Sequence, residues 1–316
     1  MDLSAKSASS ARHPLEDKSA RRQQPVSVSI VIPAFNEEKS ITKTVNALAE
    51  RFPSYELLVV NDGSTDATSE LLERLPCRVI THNPNRGYGA TWKTGCRQAK
   101  GNILIFYDGD GQFDPADIER LLEQHLATGA DMTSGARTKA SHVPLLRMPG
   151  KYLLKALARH LARQDIPDMN CGLRAFNRQT LKAYLSLLPD GFSASTTSLL
   201  AFLKQKHRVE FVPIVTVARE GTSSVRLVRD GFGTLMLIIR IVTLFDPLFI
   251  FLPTSFLLMA AGLGYSVLVA AVSGLGVPVL GATIFLAGLT IFFMGILCDQ
   301  VSATRLQYIL QRLETE

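Results

Sequence analysis

Between Pro247 and Cys298 the chain carries no Asp, Glu, Lys, Arg or His. A helix needs about 20 apolar residues to cross a bilayer, so this run is long enough for two crossings. Gly274-Leu275-Gly276-Val277-Pro278 interrupts it near the middle, and Gly and Pro are the strongest helix punctuators. The pattern predicts a helical hairpin, about 247–272 and 279–298, rather than two core helices of a soluble domain. The hairpin loop is neutral, whereas Arg226, Arg229 and Arg240 precede the run and Arg305 and Arg312 follow it. The positive-inside tendency puts both flanks in the cytoplasm, as in a multi-pass protein of the inner cell membrane. Between Asp230 and Phe245 the sole charge is Arg240. That segment is predicted to lie along the membrane surface as an interfacial helix packed against the preceding domain.

The rest of the 316 residues suffices for one large domain. Residues 1–25 mix both charge signs, show no period and lack the apolar core of a signal peptide, so a disordered tail is expected. The domain is expected over 26–228, the interfacial helix over 229–246, the hairpin over 247–299 and a cytoplasmic tail over 300–316. A net charge of +6 admits nucleic acid, an anionic membrane or phosphate-bearing ligands as partners. Cys77, Cys96, Cys171 and Cys298 have no metal-type spacing and read as reduced thiols.

Within the domain, apolar strand-length runs alternate with helical spacing. Val28–Ile32 is stopped by Pro33; Glu56–Val60 ends in Asn61-Asp62-Gly63-Ser64-Thr65-Asp66; Arg78–Thr81 leads into Asn83-Pro84-Asn85-Arg86-Gly87-Tyr88-Gly89. Ile103–Tyr107 is continuously apolar, as a buried parallel strand is. Four strand–helix alternations predict a mostly parallel, doubly wound α/β sheet with right-handed crossovers. Asp131–Ser134 and Val209–Val217 read as further strands, 146–163 as a basic amphipathic helix and 196–206 as a helix. Gly87-Tyr88-Gly89 is assigned no cofactor role. Ligands of such sheets sit beyond the strand C-termini, where Asn36 and Glu37, Asp62, and Asp108 and Asp110 fall. Asp108, Asp110 and Gln112, spaced by two after the central strand, place three oxygen-bearing groups on one side of an extended chain. Such a set suits a hard cation, Mg²⁺ or Mn²⁺. Asp114 is the expected cap of the next helix, with Pro115 at its first position.

The ordered set Val31-Ile32-Pro33-Ala34-Phe35-Asn36-Glu37, Asn61–Asp66, Asp108-Gly109-Asp110-Gly111-Gln112, Cys171-Gly172-Leu173-Arg174-Ala175-Phe176 and Arg219-Glu220-Gly221-Thr222-Ser223 resembles the inverting family 2 glycosyltransferases. Among them it is most similar to the polyprenyl-phosphate sugar synthases, such as dolichyl-phosphate mannose synthase and its bacterial relatives. The resemblance covers roughly Val28 to Val225 and implies the GT-A fold, a nucleotide-diphosphate-sugar donor and a polyprenyl phosphate acceptor. It places Pro33, Phe35, Glu37 and Asp62 at the base and ribose. Asp108, Asp110 and Gln112 fall at the metal and diphosphate, and Arg137 at the phosphates. The family usually carries Lys where this chain has Ser224, which leaves Arg226 as a replacement charge.

Transfer builds negative charge on the departing diphosphate, which a cation on Asp110 would offset as a Lewis acid, with Arg137 as a charged donor. A phosphate monoester is already ionised near neutral pH, so the acceptor needs positioning more than a base. Arg174, Arg219 and Arg226 are expected at the acceptor phosphate, with Arg174 and Arg219 counted as catalytic alongside Asp110 and Asp168. Asp168 either orients Arg174 or serves as a base toward a hydroxyl acceptor. Two rival readings are a hydroxyl-directed transferase of polysaccharide or glycolipid synthesis and a non-catalytic membrane scaffold. A processive synthase should carry Gln-x-x-Arg-Trp, but Trp92 is the sole tryptophan and stands far from such a context. The expected partners are the sugar nucleotide, the lipid phosphate and the membrane; no nucleic acid is expected, and self-association stays open.

Overall fold

A computed structural model describes residues 25–138, 159, 166–191, 193–217, 236, 239–274 and 276–315. The first half alternates β1 (Val28–Ala34), α1 (Ile41–Arg51), β2 (Glu56–Asn61), α2 (Thr68–Leu72), β3 (Arg78–Thr81), α3 (Tyr88–Gln98), β4 (Ile103–Phe106) and α4 (Ala116–Thr128). β5 (Met132–Arg137), β6 (Arg174–Asn177), α5 (Arg178–Tyr184), α6 (Ala194–Lys204) and β7 (Val209–Ile214) complete the domain, and α7 (Leu248–Ser273) and α8 (Val279–Thr315) form the hairpin.

The seven strands make one sheet in the order β3-β2-β1-β4-β6-β5-β7. β1, β2, β3 and β4 pair in parallel. β6 runs antiparallel to both β4 and β5, and β7 pairs in parallel with β5. The reversed strand, Arg174–Asn177, is one to which the sequence reading assigns no strand. Four residues with an Arg at one end and an Asn at the other carry too little period to mark a strand. The last strand stops at Ile214 rather than Val217.

Period two sorts the strand residues to two cores. Leu104 and Phe106 of β4 and Val31 of β1 meet Trp92 of α3, Leu181 and Tyr184 of α5 and Phe202 of α6. Ile103 and Ile105, with Ile30 and Ile32, meet Ile41 and Leu48 of α1, Leu72 of α2 and Ile118 of α4. On the first face Trp92 stacks on Phe106 at 4.1 Å between ring centroids.

That same face receives the membrane segment. Ile241, Val242 and Phe245, in a helical stretch over 239–245, are buried in its cluster, and Leu306 of α8 packs against it. Each such buried side chain contributes roughly 1.5–3 kcal/mol, so the hairpin's near end is part of the domain's core. Ile239 of the same stretch is exposed, so the stretch has a domain-facing and an outward-facing side. Most of 229–238, where the interfacial helix is expected to begin, lies outside the described residues.

α7 and α8 are each long and apolar enough to cross a membrane, and only 17% of the most apolar stretch of each is buried. That exposure sets them apart from the core helices of a soluble protein. Gly281, Gly288 and Gly295 recur every seven residues along α8, the period of a left-handed helix pair. A Cβ on Gly288 would come within 2.8 Å of the Met259 amide nitrogen and 2.9 Å of the Ser255 carbonyl oxygen of α7. Small residues let the two backbones approach where no water drives association. Ser302, the next residue in the heptad, donates its hydroxyl to the Leu244 carbonyl. Thr254, Ser266, Thr283 and Thr290 donate theirs to the carbonyl four residues back, which satisfies each hydroxyl within its own helix. α8 continues without a break to Thr315, so the segment expected as a C-terminal tail over 300–316 is, up to Thr315, the end of a 37-residue helix.

Candidate active site at the strand ends

The C-terminal ends of β1, β2 and β4 form one rim because their loops are laced together. The Asn36 backbone N–H donates to Ser64 Oγ (3.0 Å), and Asn36 Oδ1 accepts the Thr65 N–H (2.8 Å). The Glu37 N–H donates to Thr68 Oγ1 (2.9 Å), and the Glu38 carboxylate accepts the Ala67 N–H (3.2 Å). The loop after β4 is tied to β1 through the Gly109 N–H and Pro33 carbonyl (3.3 Å), and to the start of α1 through the Ser40 hydroxyl and Gly109 carbonyl (2.8 Å). Pro33 is buried in β1, Phe35 stands 45% exposed beyond it and Glu37 is half-buried.

Asp62 is buried, and its carboxylate accepts the Arg86 N–H (2.9 Å) and the Gly87 N–H (2.8 Å). His82 Nδ1 lies 2.7 Å from it, and His82 Nε2 lies 2.8 Å from Thr94 Oγ1. Asp62 therefore organises the 82–87 loop as well as facing the rim. His82 has no motif signature; it could have been found only as the polar residue ending β3.

Asp108 Oδ1 accepts the Tyr88 hydroxyl at 2.7 Å. Asp110, 9% exposed, accepts the Gln112 N–H at 3.2 Å. The Gln112 side-chain amide donates to the Val217 carbonyl (3.3 Å), and the Val217 N–H donates to the Gln112 carbonyl (3.1 Å). Among the described residues no three His, Cys, Asp or Glu side chains converge as a self-sufficient metal cage. A pair of carboxylates with an amide oxygen nearby is the donor set that Mg²⁺ and Mn²⁺ use when phosphate oxygens complete the shell. The residues present fit such a cation. Asp114 accepts the Ala116 N–H (2.9 Å) just after Pro115, so the expected cap operates at the start of α4.

Arg137, at the end of β5, grips Asp168 through two nitrogens, Nε to Oδ2 at 2.6 Å and Nη2 to Oδ1 at 3.0 Å. Asp168 also accepts the Asn170 N–H (2.9 Å). Burial works against the charge on Asp168, but the Arg137 fork and these N–H donors outweigh it and hold the carboxyl below its ordinary range. Asp168 is thus the partner of Arg137, where the sequence leaves it either orienting Arg174 or serving as a base. A carboxylate held in that way is a poor base.

Arg174, which the sequence places at the acceptor phosphate, is fully buried. The antiparallel register places it opposite Phe106. Its guanidinium donates to the carbonyls of Cys171 (2.9 Å), Met169 (2.7 Å) and Ser195, and to Ser198 Oγ (3.3 Å). Burial lowers its pKa. It holds the 169–173 loop in shape rather than facing a ligand. Gly87 and Gly89, given no role from sequence, allow α3 to start against the 189–191 turn: a Cβ on Gly89 would sit 2.0 Å from the Pro189 carbonyl oxygen. Arg219, Ser224, Arg226 and nearly all of the helix expected over 146–163 lie outside the described residues.

A mixed sheet of this order, with an Asp-x-Asp rim after its central strand and an apolar helical hairpin behind it, defines a membrane-associated GT-A fold. The chain belongs to glycosyltransferase family 2: the profile described as Glycosyl transferase family 2 matches residues 29–185. The profile of the GtrB C-terminal hairpin matches residues 246–304. Among curated relatives, the uncharacterized protein MJ1222 of Methanocaldococcus jannaschii is 32% identical, covering 62% of this chain and 84% of its own. An undecaprenyl-phosphate 4-deoxy-4-formamido-L-arabinose transferase of Pseudomonas fluorescens is 31% identical over 58% of this chain, but over only 59% of its own length. A UDP-N-acetylglucosamine--dolichyl-phosphate N-acetylglucosaminyltransferase of Methanococcus voltae is 27% identical, over 61% and 86%. Among solved structures, glucosyl-3-phosphoglycerate synthase of Mycobacterium tuberculosis with Mn²⁺ and UDP-glucose superposes with a TM-score of 0.55 at 21% identity, covering 71% of this chain and 80% of that one. At that identity the likeness is one of fold.

Proposed function

We propose that this protein moves a sugar from a nucleotide diphosphate to a polyprenyl phosphate at the membrane surface, with inversion. The observation that carries the reading is the joint placement of an Asp108–Asp110–Gln112 rim at the central strand end and an apolar helical hairpin tied to the same domain through the 239–245 stretch and Leu306. The names of the Pseudomonas and Methanococcus relatives support the lipid phosphate as acceptor.

In this reading Phe35, Glu37 and Asp62 border the base and ribose, and Pro33 sets the rim beneath them. Asp108, Asp110 and Gln112 would hold Mg²⁺ or Mn²⁺ at the donor site. The ion, when bound, supplies Lewis-acid stabilisation of the charge gathered there. An acceptor phosphate oxygen attacks the anomeric carbon from the face opposite the diphosphate. The C–O bond to the diphosphate breaks and its electron pair leaves with the nucleotide. A phosphate that is already ionised needs no base, which agrees with an Asp168 occupied by Arg137. Arg137 tends the phosphates, while Arg219, with Arg226, receives the acceptor. The catalytic domain and both hairpin flanks face the cytoplasm.

A panel of nucleotide sugars offered to the purified protein with polyprenyl phosphate, and in parallel with the dephosphorylated polyprenol, tests the reading. Transfer to the phosphate alone, lost in excess chelator, is expected; equal glycosylation of the alcohol, or full activity in chelator, overturns it. Arg219→Ala should weaken use of the acceptor far more than binding of the nucleotide. A cysteine introduced at Gly276 should react with an impermeant reagent from the outer side; labelling from the cytoplasmic side only contradicts the topology.

A further inference from the structure

Asp108 is held from two sides, by the Tyr88 hydroxyl and by Gly172. We propose that Tyr88, with Gly172 behind the carboxylate, is a positioning residue that sets the orientation of Asp108 for cation and donor binding. The inference rests on the reading of this rim as a nucleotide-sugar site and adds to it the residues that aim its first carboxylate.

The terminal torsion of an Asp side chain is broad and roughly two-fold, so a carboxylate at a loop end does not orient itself. Here both oxygens meet fixed neighbours. The Tyr88 hydroxyl donates to Oδ1 at 2.7 Å. Behind Oδ2 lies Gly172, where a Cβ would come within 2.0 Å of that oxygen. Any other residue at position 172 would displace the carboxylate or the loop.

Tyr88 is itself immobilised. It is the first residue of α3, and the helix start is pinned by the Gly87 N–H on Asp62 (2.8 Å) and the Ala90 N–H on the Asp190 carbonyl (3.1 Å). Its ring lies 5.7 Å from Trp92, which stacks on Phe106 two residues before Asp108. The phenol therefore points from the hydrophobic core to the rim along a fixed line. Arg174 shapes the loop that carries Gly172. One chain of contacts thus links β6, α3 and the rim.

Groups that orient a metal-binding carboxylate change metal affinity by roughly 10–100-fold when removed. Tyr88→Phe deletes only the hydroxyl. With full-length protein in nanodiscs, Mn²⁺ binding is read by electron paramagnetic resonance in the presence of UDP and, separately, GDP, together with thermal unfolding. The expected result is Mn²⁺ binding by the wild type with at least one nucleotide. Tyr88→Phe should weaken it roughly 10–100-fold at an unchanged unfolding midpoint, with a donor KM raised more than the acceptor KM. Gly172→Ala, which pushes on Oδ2 from the other side, should shift binding in the same direction. Wild-type binding by Tyr88→Phe overturns the proposal, as does a lowered midpoint with unchanged binding, which marks a purely structural role. A wild type that binds Mn²⁺ with neither nucleotide overturns the donor-site reading and this inference with it.

Discussion

Arg137 and Asp168 face each other as fork and carboxylate, 2.6 and 3.0 Å apart at their two contacts, and so join the end of β5 to the loop that precedes β6. Asp168→Asn keeps an acceptor for Asn170 but removes the charge. With Asp168 nearly buried and Arg137 about one-third exposed, the loss should be about 2 kcal/mol, below the 3–5 kcal/mol of a fully buried pair. The folded-state pKa of Asp168 lies below the ordinary 3.8. The pair's contribution is therefore complete above that unfolded value and lost as pH falls through the lower folded value. Thermal unfolding of wild type and variant across pH should show a gap that is constant near neutrality and closes in acid. A gap that persists at the lowest pH would assign the stability to something other than this charge.

Asp110→Asn should leave the unfolding midpoint within a degree or two and reduce turnover by at least ~100-fold, the scale of a preorganised charge-stabilising group. A neutral amide is a weak ligand for a hard cation. Turnover comparable to wild type would remove Asp110 from the cation site.

Arg174→Met should lower stability. The carbonyls of Met169, Cys171 and Ser195 would lose their donor, and an unmet buried polar group costs roughly 1–3 kcal/mol. Because Arg174 lies behind the rim, donor and acceptor KM should move together. A stable variant with a selective acceptor defect would return Arg174 to the acceptor phosphate.

Gly288→Val should separate α7 from α8, since its Cβ meets backbone atoms of Met259 and Ser255 under 3 Å away. Gly264→Ala, with nothing within 4 Å of its Cβ, is the matched control. Unfolding in detergent should begin earlier for the first and be unchanged for the second. Equal behaviour of the two would mean that the heptad glycines do not set the packing.

Most of the fold is legible in the sequence because each feature has its own period or punctuation. Continuous apolar runs mark β1, β2 and β4, and the absence of charge from Pro247 to Cys298 marks the hairpin. Asp108 and Asp110 are legible as a rim because they follow the most apolar strand. What escapes depends on contacts distant along the chain. β6 is short, and its direction is decided by its neighbours. Asp168 stands six residues from Arg174 in sequence, yet its partner is Arg137, brought to it by the pairing of β5 with β6. The Tyr88–Asp108 bond joins the start of α3 to the loop after β4, twenty residues apart, and no local pattern announces it.

The unbroken α8 also acts as a strut. Its 37 residues extend about 55 Å at 1.5 Å per residue, well beyond a hydrocarbon layer of about 30 Å, and Leu306 on the far portion is seated in the domain. The catalytic rim is thereby fixed at one elevation over the hairpin. An enzyme mounted in this manner would select a lipid by the depth at which its polar head floats, with little regard for how many isoprene units trail beneath. Under the acceptor reading proposed above, a series of polyprenyl phosphates of increasing length should be used at nearly equal rates; a steep optimum at one length would show that the tail, too, is measured.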